Sequence, residues 1–320
     1  MTKNKTIRMA LVGTDSLRSR EIKNILEKKS APSDVVEFYD PNVKGAFGKL
    51  TEFRGEARVI HHLDPTLLDG LDVVFLTADS KSNQRIIDKA ASLNITAIFF
   101  NDETNGEERP HPVSALLSHF LHVAMNGADI REIVVTVLQP ASAYLDDGIA
   151  ELADQSTAFL GSLSSPRSKF KTPLAFNLVS QTESVDEEGV SASERRIHRE
   201  VRRILGKEDL PLSLSLIQVP VFHTYGLMIY VRLGEERTLA DLERLFDESP
   251  SFKKCGPGLA CPVSSLTVAG KDEIYIGQIK KDPADDHAFW FWLVGDNLTR
   301  GSALNAYEIA RKVIALRRAE

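Results

Sequence analysis

A chain of 320 residues and 35.4 kDa has the length of one large domain or two medium ones, since domains run to about 100–200 residues. Hydrophobic residues at 42% and charged residues at 26% exclude a disordered chain, and neither a membrane-spanning run nor a signal-peptide core is present. A net charge of −6 without a long like-charge block excludes non-specific nucleic-acid binding, and only two cysteines, Cys255 and Cys261, point to a reducing compartment, so a soluble cytoplasmic protein is expected.

The first hundred residues alternate β-rich runs with helix-compatible stretches. Ile7–Val12 reads as a strand ending at Gly13, and Ser16–Lys29 as a helix with Leu17, Ile22, Ile25 and Leu26 as its apolar positions. Val35–Tyr39, Asp72–Thr77 and Ala97–Phe100 are further strands, with a helix over Ser82–Leu93. This alternation predicts right-handed crossovers and a parallel sheet. After Pro110-His111-Pro112 the strand candidates Glu132–Leu138, Leu212–Val221, Leu227–Leu233, Glu273–Ile279 and Ala288–Val294 follow with few helices between them, which favours a mixed sheet covered by helices on one face. Helices are expected over Ser142–Leu163 and from Ser191 to about Leu205, joined by an exposed connection at Ser162–Lys171. In the tail, Ala306, Ile309, Ala310, Val313 and Leu316 share one helical face.

The strongest chemical cue is Val12-Gly13-Thr14-Asp15-Ser16-Leu17-Arg18-Ser19, between a strand and a helix. A dinucleotide site there uses glycines for a tight turn and for close approach of the pyrophosphate. Only Gly13 remains; Ser16 and Ser19 stand where later glycines are expected, and Asp15 adds negative charge. If nucleotide binds, Gly13, Thr14 and Ser16 hold it. The preferred reading is an ordinary helix capped by Asp15 or Ser16. Asp40 suits either a ribose or a turn before Pro41.

A set of segments in the right order resembles the aspartate-semialdehyde dehydrogenases, and among them the USG-1-type homologues. Gly70-Leu71-Asp72-Val73-Val74-Phe75-Leu76 resembles "DVVFFSAG", and Val137-Leu138-Gln139-Pro140-Ala141-Ser142 resembles "TYQAVSG". Phe176-Asn177-Leu178 is similar to the "AFN" strand, and Ser193-Glu194-Arg195-Arg196 to "EEWK". Val219-Pro220-Val221 is similar to "RVPV", and Gly301-Ser302-Ala303-Leu304-Asn305-Ala306 to "GAALNA". The resemblance implies that Pro112 occupies the place of the nucleophilic cysteine of "PNCST", Gln218 that of the substrate-binding arginine, and Tyr225 that of the general-base histidine of "RVPVxxGH". Gln139 matches the substrate-orienting glutamine, and Arg196 keeps the positive charge of the motif's lysine. His223 is two residues from the base position, a shift of about 7 Å along a strand.

Other motifs carry less. Cys255 and Cys261 lack the spacing of a zinc knuckle and are read as ordinary thiols. His119 and His122 fall on one helical face without a third ligand, His61-His62 likewise stand alone, and no metal site is expected. The arginines from Arg195 to Arg203 surround an apolar stripe of Ile197, Val201, Ile204 and Leu205, as on a solvated helix. In Phe289-Trp290-Phe291-Trp292 alternation sends the phenylalanines one way and the tryptophans the other. Either an intersubunit surface or a two-sided core strand satisfies that pattern.

The expected fold is α/β. A Rossmann-like doubly wound parallel sheet covers residues 1–112, completed by the C-terminal helix at 298–320, and an α+β dimerisation domain covers 113–297. The resemblance implies a homodimer through the second domain. The leading functional expectation is a catalytically inactive homologue, without cofactor, acting as scaffold or regulator, with an unnamed protein partner possible. An active NAD(P)-dependent semialdehyde oxidoreductase of amino-acid biosynthesis, rewired around His111, Ser114, His223 or Tyr225, is the second. The third is a cofactor-free sensor of an anionic small molecule held by Gln139 and Arg196.

Overall fold

The computed structural model describes residues 6–43, 48–77, 80–99, 110–125, 128–164, 169–180, 183–254 and 263–317. Cys255, Cys261 and the stretch 101–109 lie outside the described residues. The chain divides into two compact units, residues 1–109 with 302–320, and residues 110–301.

In the first unit, strands β1 (Arg8–Val12), β2 (Val35–Asp40), β3 (Lys49–Phe53), β4 (Glu56–His62), β5 (Val73–Leu76) and β6 (Thr96–Phe99) form one sheet in the order β3-β4-β2-β1-β5-β6. All neighbours are parallel except β3 and β4. β1 is an apolar run because both its faces are covered. Met9 and Leu11 join Ile22, Ile25 and Leu26 of α1 (Leu17–Lys29) together with α8 (Asn305–Arg317), whereas Ala10 and Val12 meet Ile86 and Ala90 of α2 (Ser80–Ser92). The sheet is therefore wound on both sides.

Two sequence expectations need correction here. The β3–β4 hairpin was not legible, because β4 buries only Ile60 and so lacks apolar alternation; its Arg54-Gly55 turn, with φ of 55° and 74°, was the available signal. The buried stripe of α8 is Ala306, Tyr307, Ala310 and Ile314, and Leu316 is exposed. Tyr307 claims the inner face by donating its hydroxyl to the Lys29 carbonyl at 2.7 Å.

In the second unit the order is β10-β11-β12-β9-β7-β8, from β7 (Ile130–Gln139), β8 (Leu212–Gln218), β9 (Tyr225–Leu233), β10 (Phe252–Lys254), β11 (Ile274–Lys281) and β12 (Ala288–Gly295). Its edge pairs β7–β8 and β10–β11 are parallel and the rest antiparallel. Helices α3 (Pro112–Ala124), α5 (Ala192–Leu205) and α6 (Leu239–Asp247) contribute to the core over this sheet, where Phe120 stacks on Phe246 and meets Phe291 edge-on at 4.9 Å. The alternation in β12 divides as expected: Phe289 and Phe291 are buried, while Trp290 and Trp292 are half-buried and donate to Asp282 and to the Val263 carbonyl. A four-residue turn of helix, α7 (Ser265–Val268), precedes β11.

The helix expected at Ser142–Leu163 is broken. Ala141–Tyr144 form a 3-10 turn, and α4 (Leu145–Leu160) starts at Leu145, whose φ is 56°. The connection after it is not wholly exposed: Phe170 is buried, held by Glu151, which accepts the N–H groups of Lys169 and Phe170. Phe176-Asn177-Leu178 is a turn rather than a strand, since Phe176 takes φ 58° and only Val179 bridges to the sheet, at Gln218. In α5, Ile204 is exposed, so the stripe is narrower than its spacing suggests.

Candidate functional site

β-Strand alternation builds the site. In β7, Ile133, Val135, Val137 and Gln139 point inward; in β8, Leu212, Leu216 and Gln218 do; in β9, Tyr225, Leu227 and Ile229 do. Register puts Gln139 beside Gln218 and Leu138 beside Gly226, so the strand ends deliver Gln139, Gln218 and Tyr225 to one place. All three are at most 6% exposed. Gln139 donates its amide to Gln218 Oε1 at 3.0 Å, Gln218 donates to the Gln139 carbonyl at 2.9 Å, and the Tyr225 hydroxyl donates to Gln139 Oε1 at 3.4 Å.

Pro112 is the first residue of α3. A proline fits there because the missing N–H has no intrahelical partner at that position. His111 caps the helix: its Nδ1 accepts the Val113 N–H at 3.2 Å, and its ring lies edge-on to Tyr225 with centroids 5.9 Å apart. Glu200 of α5 is buried and satisfied on both oxygens, accepting the His111 N–H at 2.7 Å and Arg196 Nε at 2.7 Å. The positive charge at Arg196 is thus met inside the protein by a carboxylate. Ser193, at the place of the first glutamate of "EEWK", donates to Glu183 at 2.6 Å. α5 itself begins with a reciprocal cap between Ser191 and Glu194, and Glu194 also accepts the Leu216 N–H of β8 at 3.0 Å, which fixes the helix to the sheet.

The structure therefore brings together Gln139, Gln218, Tyr225, His111 and, at the helix start, Pro112; Arg196 reaches His111 through Glu200. His223 is half-buried two residues away, in the segment leading to β9. Glu200 is a member to which sequence reading assigned no role, although it matches the later acid of the family's "EEWK…E…KIL" helix and lies four residues after Arg196 on one helical face. Thr224 is a second. It stands at the glycine of "RVPVxxGH", keeps φ at 74°, and buries a hydroxyl without a hydrogen-bond partner. A β-branched residue in that backbone region is strained.

The loop of the first unit closes on itself. Ser16 caps α1 by accepting the Ser19 N–H at 3.2 Å, as the ordinary-helix reading expects, and its hydroxyl is 2.7 Å from that of Ser19. Ser19 in turn lies 2.8 Å from the Thr77 hydroxyl. Thr14 donates through both N–H and hydroxyl to Asp40, at 3.1 and 2.9 Å, and Asp40 also accepts the Asn42 N–H at 2.8 Å. Asp15 pairs with Lys49. The Asp40 carboxylate, at the strand end where a dinucleotide site meets a ribose, is thus engaged by the loop itself.

His119 Nδ1 donates to the Ala115 carbonyl of its own helix at 2.8 Å while its Nε2 accepts from the Arg300 guanidinium at 2.9 Å, and His122 is exposed. Among the described residues no group of three or more His, Cys, Asp or Glu side chains is placed to hold a metal ion, and no helix is long and apolar enough to cross a membrane.

Comparison with known proteins gives the same architecture. A USG-1 protein homolog of Pseudomonas aeruginosa is 33% identical over 205 residues, an alignment spanning 64% of this chain and 61% of that relative. An aspartate-semialdehyde dehydrogenase of Rickettsia bellii is 25% identical over 98% of this chain and 99% of its own. A solved structure of a probable aspartate-semialdehyde dehydrogenase from Pseudomonas aeruginosa superposes with a TM-score of 0.83 at 24% identity, over 97% of this chain and 99% of that one. The model of the semialdehyde dehydrogenase dimerisation domain matches residues 121–300, more than half of the sequence. On that match, and with these relatives, the chain belongs to the semialdehyde dehydrogenase family.

Proposed function

We propose that the protein is a catalytically inactive relative of the aspartate-semialdehyde dehydrogenases, acting as a homodimeric scaffold or regulator without a nicotinamide cofactor. The observation that carries this reading is Tyr225: at the base position stands a phenol, 1% exposed, with its ring on His111 and its hydroxyl on Gln139. Thiohemiacetal chemistry needs a nucleophile, a base and a hydride acceptor. Pro112 supplies no nucleophile, and a neutral phenol does not take up a proton as an imidazole does. Gln218 replaces a cation by an amide, and that amide is spent on Gln139.

The same contacts weigh against a ligand sensor, because Gln139 and Arg196 are both bound to other side chains of the chain. The closed loop around Asp40 and Asp15 supports the absence of nucleotide binding. Pairing of two copies through the second unit is supported by the dimerisation-domain description of the matched family.

The test is calorimetric titration of the full chain with NADP and NAD, combined with an assay on aspartate semialdehyde. No binding at millimolar nucleotide and no turnover are expected. Micromolar binding, or turnover at about 1 s⁻¹ or faster, as ordinary enzymes reach, overturns the reading.

A further inference from the structure

A cavity of about 750 Å³ opens in the second unit, at the end of the sheet where β7 and β8 begin and β9 ends. Gln139, Gln218 and Tyr225 stand at the opposite ends of these same strands, so the cavity is separate from the site described above. Its volume falls among small-molecule sites, which run to about 300–1,000 Å³. Met125, Ile130, Leu210 and Pro211 give it an apolar lining. Met125 and Gly206 are also the residues that close α3 and α5, so two helices bring their carbonyl ends, the negative poles of their dipoles, to its wall.

Four carboxylates, Asp129, Glu208, Asp209 and Glu235, share this lining with a single ammonium, Lys207. Glu208 and Asp209 are exposed and have no side-chain partner among the described residues. Asp129 pairs with Arg131 and Glu235 with Arg237, each at 2.8 Å and with the acid more than half exposed. Exposed pairs of this kind contribute little and exchange readily for another cation. The acids do not converge on one point, since no group of three or more among the described residues is placed to hold a metal ion. Negative charge spread over apolar walls fits a ligand whose positive charges are spread in the same way, along an apolar stem. The lining side chains accept hydrogen bonds at four places and donate at one. That pattern suits a ligand made of donors, and it leaves the carbonyls of a peptide with only Lys207 to meet them.

We infer that this cavity binds an aliphatic polyamine, with its methylene spacers over Met125, Ile130, Leu210 and Pro211 and its ammonium groups at the separated carboxylates. Glu208 and Asp209 are the primary anchors, because neither has to give up a partner. Asp129 and Glu235 join by turning from their arginines. The inference does not rest on the inactive-enzyme reading, and it gives the chain a ligand site away from the relict one.

Isothermal titration of the full chain with spermidine at low ionic strength, where exposed charges are least screened, tests it. One saturable site is expected, with a dissociation constant of ~100 μM or tighter. The double variant Glu208→Gln, Asp209→Asn should weaken it about tenfold and Glu235→Gln about threefold, both with the far-UV circular dichroism spectrum retained. Glu243→Gln with Glu248→Gln removes the same charge outside the cavity and should leave binding within about twofold. Magnesium, a divalent cation without an apolar stem, should not displace spermidine at equal concentration. Failure to saturate at ~10 mM spermidine overturns the site. Equal weakening by the control variant, or displacement by equal magnesium, reduces the binding to general attraction and overturns it as well. The nucleotide titration and the semialdehyde assay read the inactive-enzyme proposal separately.

Discussion

The amide pair Gln139–Gln218 distinguishes a sealed relict from an open cleft. Gln218→Met removes the acceptor of the Gln139 amide, 3.0 Å away, and leaves a donor unpaired in a residue that is 6% exposed. Stranding a buried polar group costs about 1–3 kcal/mol. The Gln139 carbonyl stays satisfied, because it also accepts the Val219 N–H at 3.0 Å. Gln139→Met strands Gln218 Oε1 and removes the acceptor of the Tyr225 hydroxyl, at a similar cost. Replacing both residues strands neither amide, so the double variant should lose only about 1–2 kcal/mol, a coupling of ~2 kcal/mol against the sum of the singles. Urea denaturation of the four proteins at one fixed concentration, followed by circular dichroism, measures this. If the singles each cost under ~0.5 kcal/mol, or the double equals their sum within that margin, the amides reach solvent or ligand and the sealed site is refuted.

Thr224→Gly should raise stability by about 1 kcal/mol: relief of left-handed strain and of a partnerless hydroxyl outweighs the glycine entropy and the lost methyl, and an unchanged or lower melting temperature refutes the strain at this position. The double variant Pro112→Cys, Tyr225→His restores the residue types of nucleophile and base, yet aspartate semialdehyde should not be turned over, because Gln218 supplies no cation; activity at ordinary enzymatic rates shows that the cation is dispensable. His198 on α5 has its pKa lowered, by burial first and then by the charges of Arg202 and Arg195. The folded state thus takes up a proton less readily than the unfolded state, whose histidine titrates near ~6.5. Its contribution is fully present above that value and is lost as pH falls from there through the lowered folded-state value, so wild type should lose melting temperature between pH 7.5 and pH 5 relative to His198→Gln. Parallel curves for the two proteins contradict this assignment.

Much of the fold was legible because its signals are local. The buried run of β1, the reciprocal cap on α5 and the alternation of Phe289 to Trp292 each report the environment of a few neighbouring residues, and the residue types at positions 112, 218 and 225 could be read one position at a time. The break before α4, the outward turn at Phe176 and the β3–β4 hairpin were not legible, because long-range contacts decide them: Glu151 and Gln155 reaching 18 to 20 residues ahead, and Ile60 pairing with Phe38. The closure of the site belongs to the same class. Sequence alone named Gln139, Gln218, Tyr225 and Arg196. Only strand register could turn the two glutamines onto each other, and only the packing of α5 on α3 could set Glu200 between Arg196 and His111, because hydrogen-bond partners 79 or 89 residues apart leave no periodicity in the chain.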